Sequence, residues 1–287
     1  MQFCSNNTQA DFMEKKRVLY ISHEIVPYLP ESDISETSRF LPQRMNDNGQ
    51  EVRIFMPRFG CINERRHQLH EVIRLSGMNL IINDMDQPLI IKVASVPQAR
   101  MQVYFIDNEE YFKRKQMFAD DKGNFFPDND ERAIFFGRGV LETVKKLGWS
   151  PDIIHCHGWM SALVPLYLKT VYADDPIFEN SKVVYSAYND AFDGLLAENL
   201  TTKLTFDGID EKLVENLSEP THEQLILAAA EHSDAVILGS DDVAQEIVDT
   251  LEAGDTELFN AASADKTNFF EVYNEIYNQV VTEESVV

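Results

Sequence analysis

The sequence is poor in cysteine, with Cys4, Cys61 and Cys156 the only three in 287 residues. An odd number with no CxxC spacing argues against a disulfide framework and a zinc ribbon, and points to a reducing cytoplasm. No stretch approaches the ~20 consecutive apolar residues that span a bilayer, which excludes a transmembrane helix. The opening MQFCSNNTQADFMEKKR has no apolar signal-peptide core, so secretion is not expected. Positive charge is scarce in the second half. Residues 151–287 hold 5 Lys+Arg against 27 Asp+Glu, whereas residues 1–150 hold 20 against 21. The net charge is -23. A surface of that sign repels nucleic acid and anionic membranes. It suits solubility, or a basic partner facing the acidic half.

The chain is 44% hydrophobic and 25% charged, enough for one large or two ordinary domains. Arg17–Ser22, RVLYIS, is a short apolar run of the kind found inside a parallel sheet. A helix is expected over 34–46, capped by Asp33 and stopped at Asn48-Gly49. EVRIFM at 51–56 is the next strand, giving a strand–helix–strand start and a right-handed crossover. No GxGxxG joins that strand and helix, so the dinucleotide fingerprint is absent.

Runs at 72–75, 79–82, 88–96 and 101–106 are read as inserted antiparallel hairpins. A short helix is expected over 109–117 and a loop over 119–130. Asp130 is then expected to cap a long helix to Lys146. The alternation resumes with strands at 152–156, 182–186 and 235–238, and helices at 161–171, 222–232 and 241–251. An amphipathic segment over 268–281 is expected to pack back on the domain. The fold class that follows is α/β: one Rossmann-like, doubly wound parallel sheet with helices on both faces and a β-hairpin insertion. Residues 1–14 are read as a disordered tail, 15–253 as the domain, and 254–287 as an acidic segment ending in a helix.

Ligands of such sheets bind beyond the carboxyl ends of the strands. The segments there carry a resemblance. Ser22, Glu24, Pro27, Leu41 and Pro42 form one signature, and Gly49, Glu51-Val52 and Met56-Pro57-Arg58-Phe59 a second. Tyr104–Asp107 with Tyr111, Phe112 and Arg114 fits VYFID…YFxR. FPDNDER at 126–132 is similar to YPDNxER, DIIHCHGW at 152–159 to DVVHxHDW, and Asn189 stands where a His-Asn pair is expected. Residues 234–247 resemble ADRVTTVS…EI. In this order and register the segments, over roughly residues 17–250, resemble the N-terminal half of bacterial glycogen and starch synthases. Those enzymes transfer glucose from ADP-glucose to α-1,4-glucans in a cleft between two Rossmann domains.

The resemblance implies glucan- or sugar-contacting roles for Asp128, Asn129, Trp159, His155, His157, Tyr111, Arg114 and Asn189. From the residues alone, Asp128 also suits a plain turn, and Trp159 also suits the core. His155 and His157 are expected to point to opposite sides of their strand; metal binding, packing and cleft lining stay open for them. Neither a GxSxG elbow nor a useful Cys–His pair supports nucleophilic hydrolysis, and Cys156 is expected to be buried.

Departures fall on the donor side. The family's Lys-x-Gly-Gly loop reads Pro30, Glu31, Ser32, Asp33 here. Proline cannot pair with a diphosphate, and the two carboxylates repel one. The family's histidine after HDW is Met160, and its His-Asn is Tyr188-Asn189. The family's second domain is not found within this sequence. The expectation is therefore a glycogen/starch synthase-like pseudoenzyme that binds α-glucan or maltooligosaccharide, or regulates, without cofactor or metal. Two alternatives remain. One is an active ADP-glucose glucosyltransferase completed by a partner chain. The other is an interaction module, or homo-oligomer, docking through an interdomain face or the C-terminal helix.

Overall fold

The computed structural model describes residues 15–282, so the expected disordered tail over 1–14 lies outside the described residues, as do 283–287. The chain opens with β1 (Arg17–Ser22), whose five residues from Val18 on are buried on both faces. Helix α1 (Asp33–Asp47) crosses to β2 (Glu51–Pro57), which pairs parallel to β1. Ser32, not Asp33, is the N-cap of α1. Its hydroxyl accepts the Ser35 N–H while the Ser35 hydroxyl accepts the Ser32 N–H, a reciprocal box that an Asp33 cap would forgo.

A short helix α2 (Glu64–His67) leads into the insertion of β3 (His70–Glu71), β4 (Met78–Ile82) and β5 (Met85–Ser95). β4 and β5 form a hairpin turning at Asn83 and Asp84, both at positive φ. The run at 72–75 is a turn rather than a strand: Leu75 and Ser76 both donate back to the Val72 carbonyl. β6 (Gln102–Asp107) pairs antiparallel with β5 but parallel with β2, so it is part of the main sheet. Helix α3 stops at Phe112 (Glu109–Phe112), short of the expected 117.

Helix α4 (Asn129–Leu147) starts at an Asp128 cap whose side chain makes no capping bond. Asp130, expected there as the cap, is fully buried and pairs instead with Lys203, 2.5 Å away. Then come β7 (Ile153–His157), a single tight turn at Trp159–Ser161, and α5 (Val164–Lys169). Pro165 explains the split of the expected 161–171 helix, since it is placed in the first turn of α5. β8 (Lys182–Ala187) follows, then α6 (Leu200–Phe206), which the sequence reading passed over. α7 (His222–Glu231), β9 (Ala235–Leu238), α8 (Gln245–Ala253), β10 (Glu257–Asn260) and α9 (Phe269–Thr282) complete the chain.

The sheet runs β10-β9-β8-β7-β1-β2-β6-β5-β3, with β4 hydrogen-bonded to β5. From β10 to β6 all neighbours are parallel. β10 was not anticipated, and it carries the sheet past residue 253. The order reverses between β1 and β7: the chain builds outward through β2 and β6, then returns to β7 and builds the other way. That reversal is where side-by-side strands send their crossovers to opposite faces and leave a crevice. The amphipathic C-terminal segment does pack back. α9 lies on α1, burying Phe269, Tyr273, Ile276, Tyr277 and Val280.

Candidate functional site

The loops after β1, β7 and β8 converge at the reversal. With the long loop before α4 they enclose a cleft of about 540 Å³. Trp159 forms one wall. It is 2% exposed, so it belongs to the core and to the cleft at once. Around it stand Phe118 at 4.9 Å between ring centroids, Phe192 at 5.2 Å and Phe125 at 5.9 Å. Phe125 and Phe192 stack on each other at 4.9 Å. Tilted and edge-on ring pairs of this kind are worth about 0.5–1.5 kcal/mol each beyond the area they bury.

The polar part of the cleft comes from His23, Glu24, Asn189, Asp190 and Asp193. No lysine or arginine lines it. Of the scarce cations in the acidic half, Lys169, Lys182, Lys203 and Lys266 are held in ion pairs elsewhere. Asp190 is fixed twice. One carboxylate oxygen accepts the Trp159 N–H at 2.7 Å and the other meets His222 Nε2 at 2.9 Å.

Behind the wall lie residues that do not line this cleft. His155 and His157 share one side of β7, with ring centroids 3.9 Å apart, rather than pointing to opposite sides. Residues two apart on a strand share a face because its side-chain period is two. His155 bonds Tyr277 and Ser186, and His157 bonds the Tyr188 hydroxyl at 2.8 Å. Burial drives both imidazoles below their ordinary pKa, His157 to about 3, so both are neutral near pH 7. Met160 and Tyr188 are buried with them, and burial drives the Cys156 thiol upward. Among the described residues there is no group of three or more His, Cys, Asp or Glu placed to hold a metal.

Asp128, Arg114, Asn129 and Tyr111 gather at the start of α4. Arg114 grips Asp128 with both terminal nitrogens, at 2.7 and 2.5 Å, and lies over the Phe126 ring. Burial pushes the Asp128 carboxyl up, but the Arg114 hydrogen bonds and charge outweigh it, and the group sits below its usual range. Asn129 is buried and ties the Phe118 carbonyl to Arg132. Tyr111 donates to Glu131. This cluster holds up the loop carrying Phe118 and Phe125 but contributes no residue to the cleft wall.

At the start of α1, Pro30, Glu31 and Asp33 are exposed. Ser32 is engaged by its own helix, and its hydroxyl donates to Glu24 at 2.5 Å. Partial desolvation at the edge of the helix start, reinforced by the charges of Asp242, Glu36 and Asp241, raises the Asp33 pKa. Asp33 and Asp242 join Glu24, Asn189 and Asp190 around an adjoining hollow of about 360 Å³.

The structure thus brings Trp159 and Asn189 together in one cleft and seats the other named positions behind or beside it. The sequence reading missed His23, Phe118, Phe125, Asp190 and Phe192. Three of these are phenylalanines in irregular loops, which carry no periodicity to read. Asp190, directly after the recognised Asn189, and His23, directly after β1, had a usable signal in their strand-end positions.

A doubly wound, mostly parallel sheet with a crevice at its reversal defines a Rossmann-like α/β domain. The family model described as starch synthase catalytic domain matches residues 17–260, and the chain belongs to that family. It is 39% identical over 233 residues to a glycogen synthase of Chlorobium limicola, covering 81% of this chain and 47% of that protein. It is 42% identical over 189 residues to a glycogen synthase of Chlorobium luteolum, covering 66% and 39%. The chain therefore spans about half the length of the curated relatives it matches. Among solved structures it is similar to the catalytic domain of starch synthase IV from Arabidopsis thaliana bound to ADP and acarbose. The TM-score is 0.65 at 18% identity, over 92% of this chain and 50% of that one, a likeness of fold.

Proposed function

We propose that this chain is a glycogen/starch synthase-like protein that holds an α-glucan and does not itself transfer glucose, acting as a glucan-binding or regulatory pseudoenzyme. The observation that carries the reading is the state of the α1 N-terminus. A nucleotide-sugar diphosphate needs free backbone N–H groups, a glycine approach and a cation there. Here the Ser32–Ser35 box occupies the Ser32 and Ser35 N–H groups, Glu24 sits on the Ser32 hydroxyl, and Glu31 and Asp33 add negative charge. The neighbouring cleft offers aromatic faces with amide and carboxylate acceptors, which suits the apolar face and hydroxyl edge of a neutral glucose ring.

The test is incorporation of labelled glucose from ADP-glucose, and separately UDP-glucose, into glycogen by the purified chain, beside a maltoheptaose titration. Binding without incorporation is the expected pair of results. Turnover that disappears in Asp128→Ala would refute the pseudoenzyme reading, since that control excludes a contaminating synthase. A flat maltoheptaose titration would remove glucan binding.

A further inference from the structure

His23 lies at the carboxyl end of β1, is 1% exposed, and lines the cleft. Its ring edge meets Phe118 at 5.5 Å, and it lies 6.1 Å from Trp159. Its Nδ1 is buried and has no hydrogen-bond partner, and its Nε2 is 3.8 Å from the Glu24 carboxylate, beyond hydrogen-bond reach. A buried polar atom left unpaired costs about 1–3 kcal/mol, so such an atom beside a cleft is one a ligand can satisfy.

The room for this imidazole comes from position 158. Where the resembling motif DVVHxHDW has aspartate, this chain has Gly158, at φ +72. A Cβ placed there would lie 2.5 Å from Asp190 Oδ2 and 2.6 Å from His23 Cε1. The glycine therefore admits both side chains to the same small volume. Asp190 is already committed to Trp159 and His222. Of the two groups that meet over Gly158, His23 is the one with a nitrogen to spare.

We infer that His23 is a specificity-determining residue of this cleft, its Nδ1 hydrogen-bonding a hydroxyl of a glucose ring packed against Trp159 and Phe192. The inference rests on the reading of the cleft as a glucan site. Imidazole Nδ1 can pair with a hydroxyl, and a lining that holds Glu24, Asp190 and Asp193 but no lysine or arginine repels a phosphate. The site therefore takes neutral glucan in preference to phosphorylated sugars.

The experiment is calorimetric titration of maltoheptaose into the full chain and three variants, each checked by thermal unfolding. His23→Phe keeps the ring and loses the nitrogen. His23→Asn places a polar atom near the Nδ1 position, and His23→Gln places one near Nε2. The expected result is affinity lowered about five- to tenfold in His23→Phe and His23→Gln, and largely retained in His23→Asn. Equal affinity in Asn and Gln variants overturns the assignment, and that comparison stands even if the Phe variant fails to fold. Wild-type binding with no loss in either Phe or Gln also overturns it while leaving the glucan reading in place. A flat wild-type titration overturns both.

Discussion

His155 Nδ1 lies 2.7 Å from the Tyr277 hydroxyl, joining the middle of β7 to a helix 122 residues further along the chain. The same hydroxyl lies 3.2 Å from that of Tyr20 on β1. Through these contacts α9 is pinned to the two strands that flank the sheet's reversal, on residues that are all fully or almost fully buried.

Removing that hydroxyl strands a buried imidazole nitrogen. Tyr277→Phe is expected to destabilise the fold by about 1–3 kcal/mol, the cost of a buried polar atom without a partner. Urea unfolding of the two proteins measures it. Indistinguishable midpoints at equal slope would mean that the contact contributes nothing.

The paired histidines make stability depend on acidity. Their folded pKa values lie below the unfolded value near 6.5, His157 at about 3, so the unfolded chain binds the extra protons. The stability they contribute is complete above about pH 6.5 and is lost as pH falls toward the folded values. The slope is about 1.4 kcal/mol per pH unit for each histidine. His157→Gln should flatten the stability profile between about pH 4 and 6 relative to wild type. Parallel profiles would count against burial as the cause.

Lys203 tests the buried charge at the start of α4. It is 6% exposed and reaches Asp130 at 2.5 Å and Glu131 at 2.9 Å. Lys203→Met leaves a buried carboxylate unpaired and should cost about 3–5 kcal/mol. Asp130→Asn should cost less, because Lys203 keeps Glu131. The reverse order of the two, by chemical denaturation, would contradict this account.

Phe192 is a half-buried cleft ring stacked on Phe125. Phe192→Ala should weaken maltoheptaose binding by roughly 0.5–1.5 kcal/mol, about two- to tenfold, with little change in the melting temperature. Unchanged affinity would move the glucan out of this cleft.

The self-capped start of α1 predicts that ADP is not held. A ligand at 100 times its Kd adds about 2.7 kcal/mol to stability. Millimolar ADP should leave the melting temperature where it was, and a rise of several degrees would show a donor site that Ser32 and Glu24 do not block.

Much of the framework was legible in the residues. RVLYIS, KVVYS and the 235–238 run read as buried strands because a parallel sheet covered on both faces demands unbroken apolar side chains. The motif order identifies the family, and the departure at Pro30–Asp33 is written in the residues themselves. Local errors came from equal competitors a residue or two apart. Ser32 displaced Asp33 as a cap because Ser35 could answer it, and Asp130 left the cap position for Lys203.

The candidate site was legible only in part. Trp159 and Asn189 stood at strand ends, where position alone marks them. His23, Phe118, Phe125 and Phe192 come from three separate loops, and nothing local in those loops announces that their rings meet.

By itself the sequence determined the family, the α/β alternation, the acidic second half and the altered loop before α1. Each of these is written in composition, period or contiguous motif. The tertiary structure alone decided the strand order, the pairing of His155 with Tyr277, and the unpartnered nitrogen of His23. Those depend on which distant side chains exclude water together. Burial and hydrogen-bond satisfaction are settled by packing across the sheet, not by neighbours along the chain.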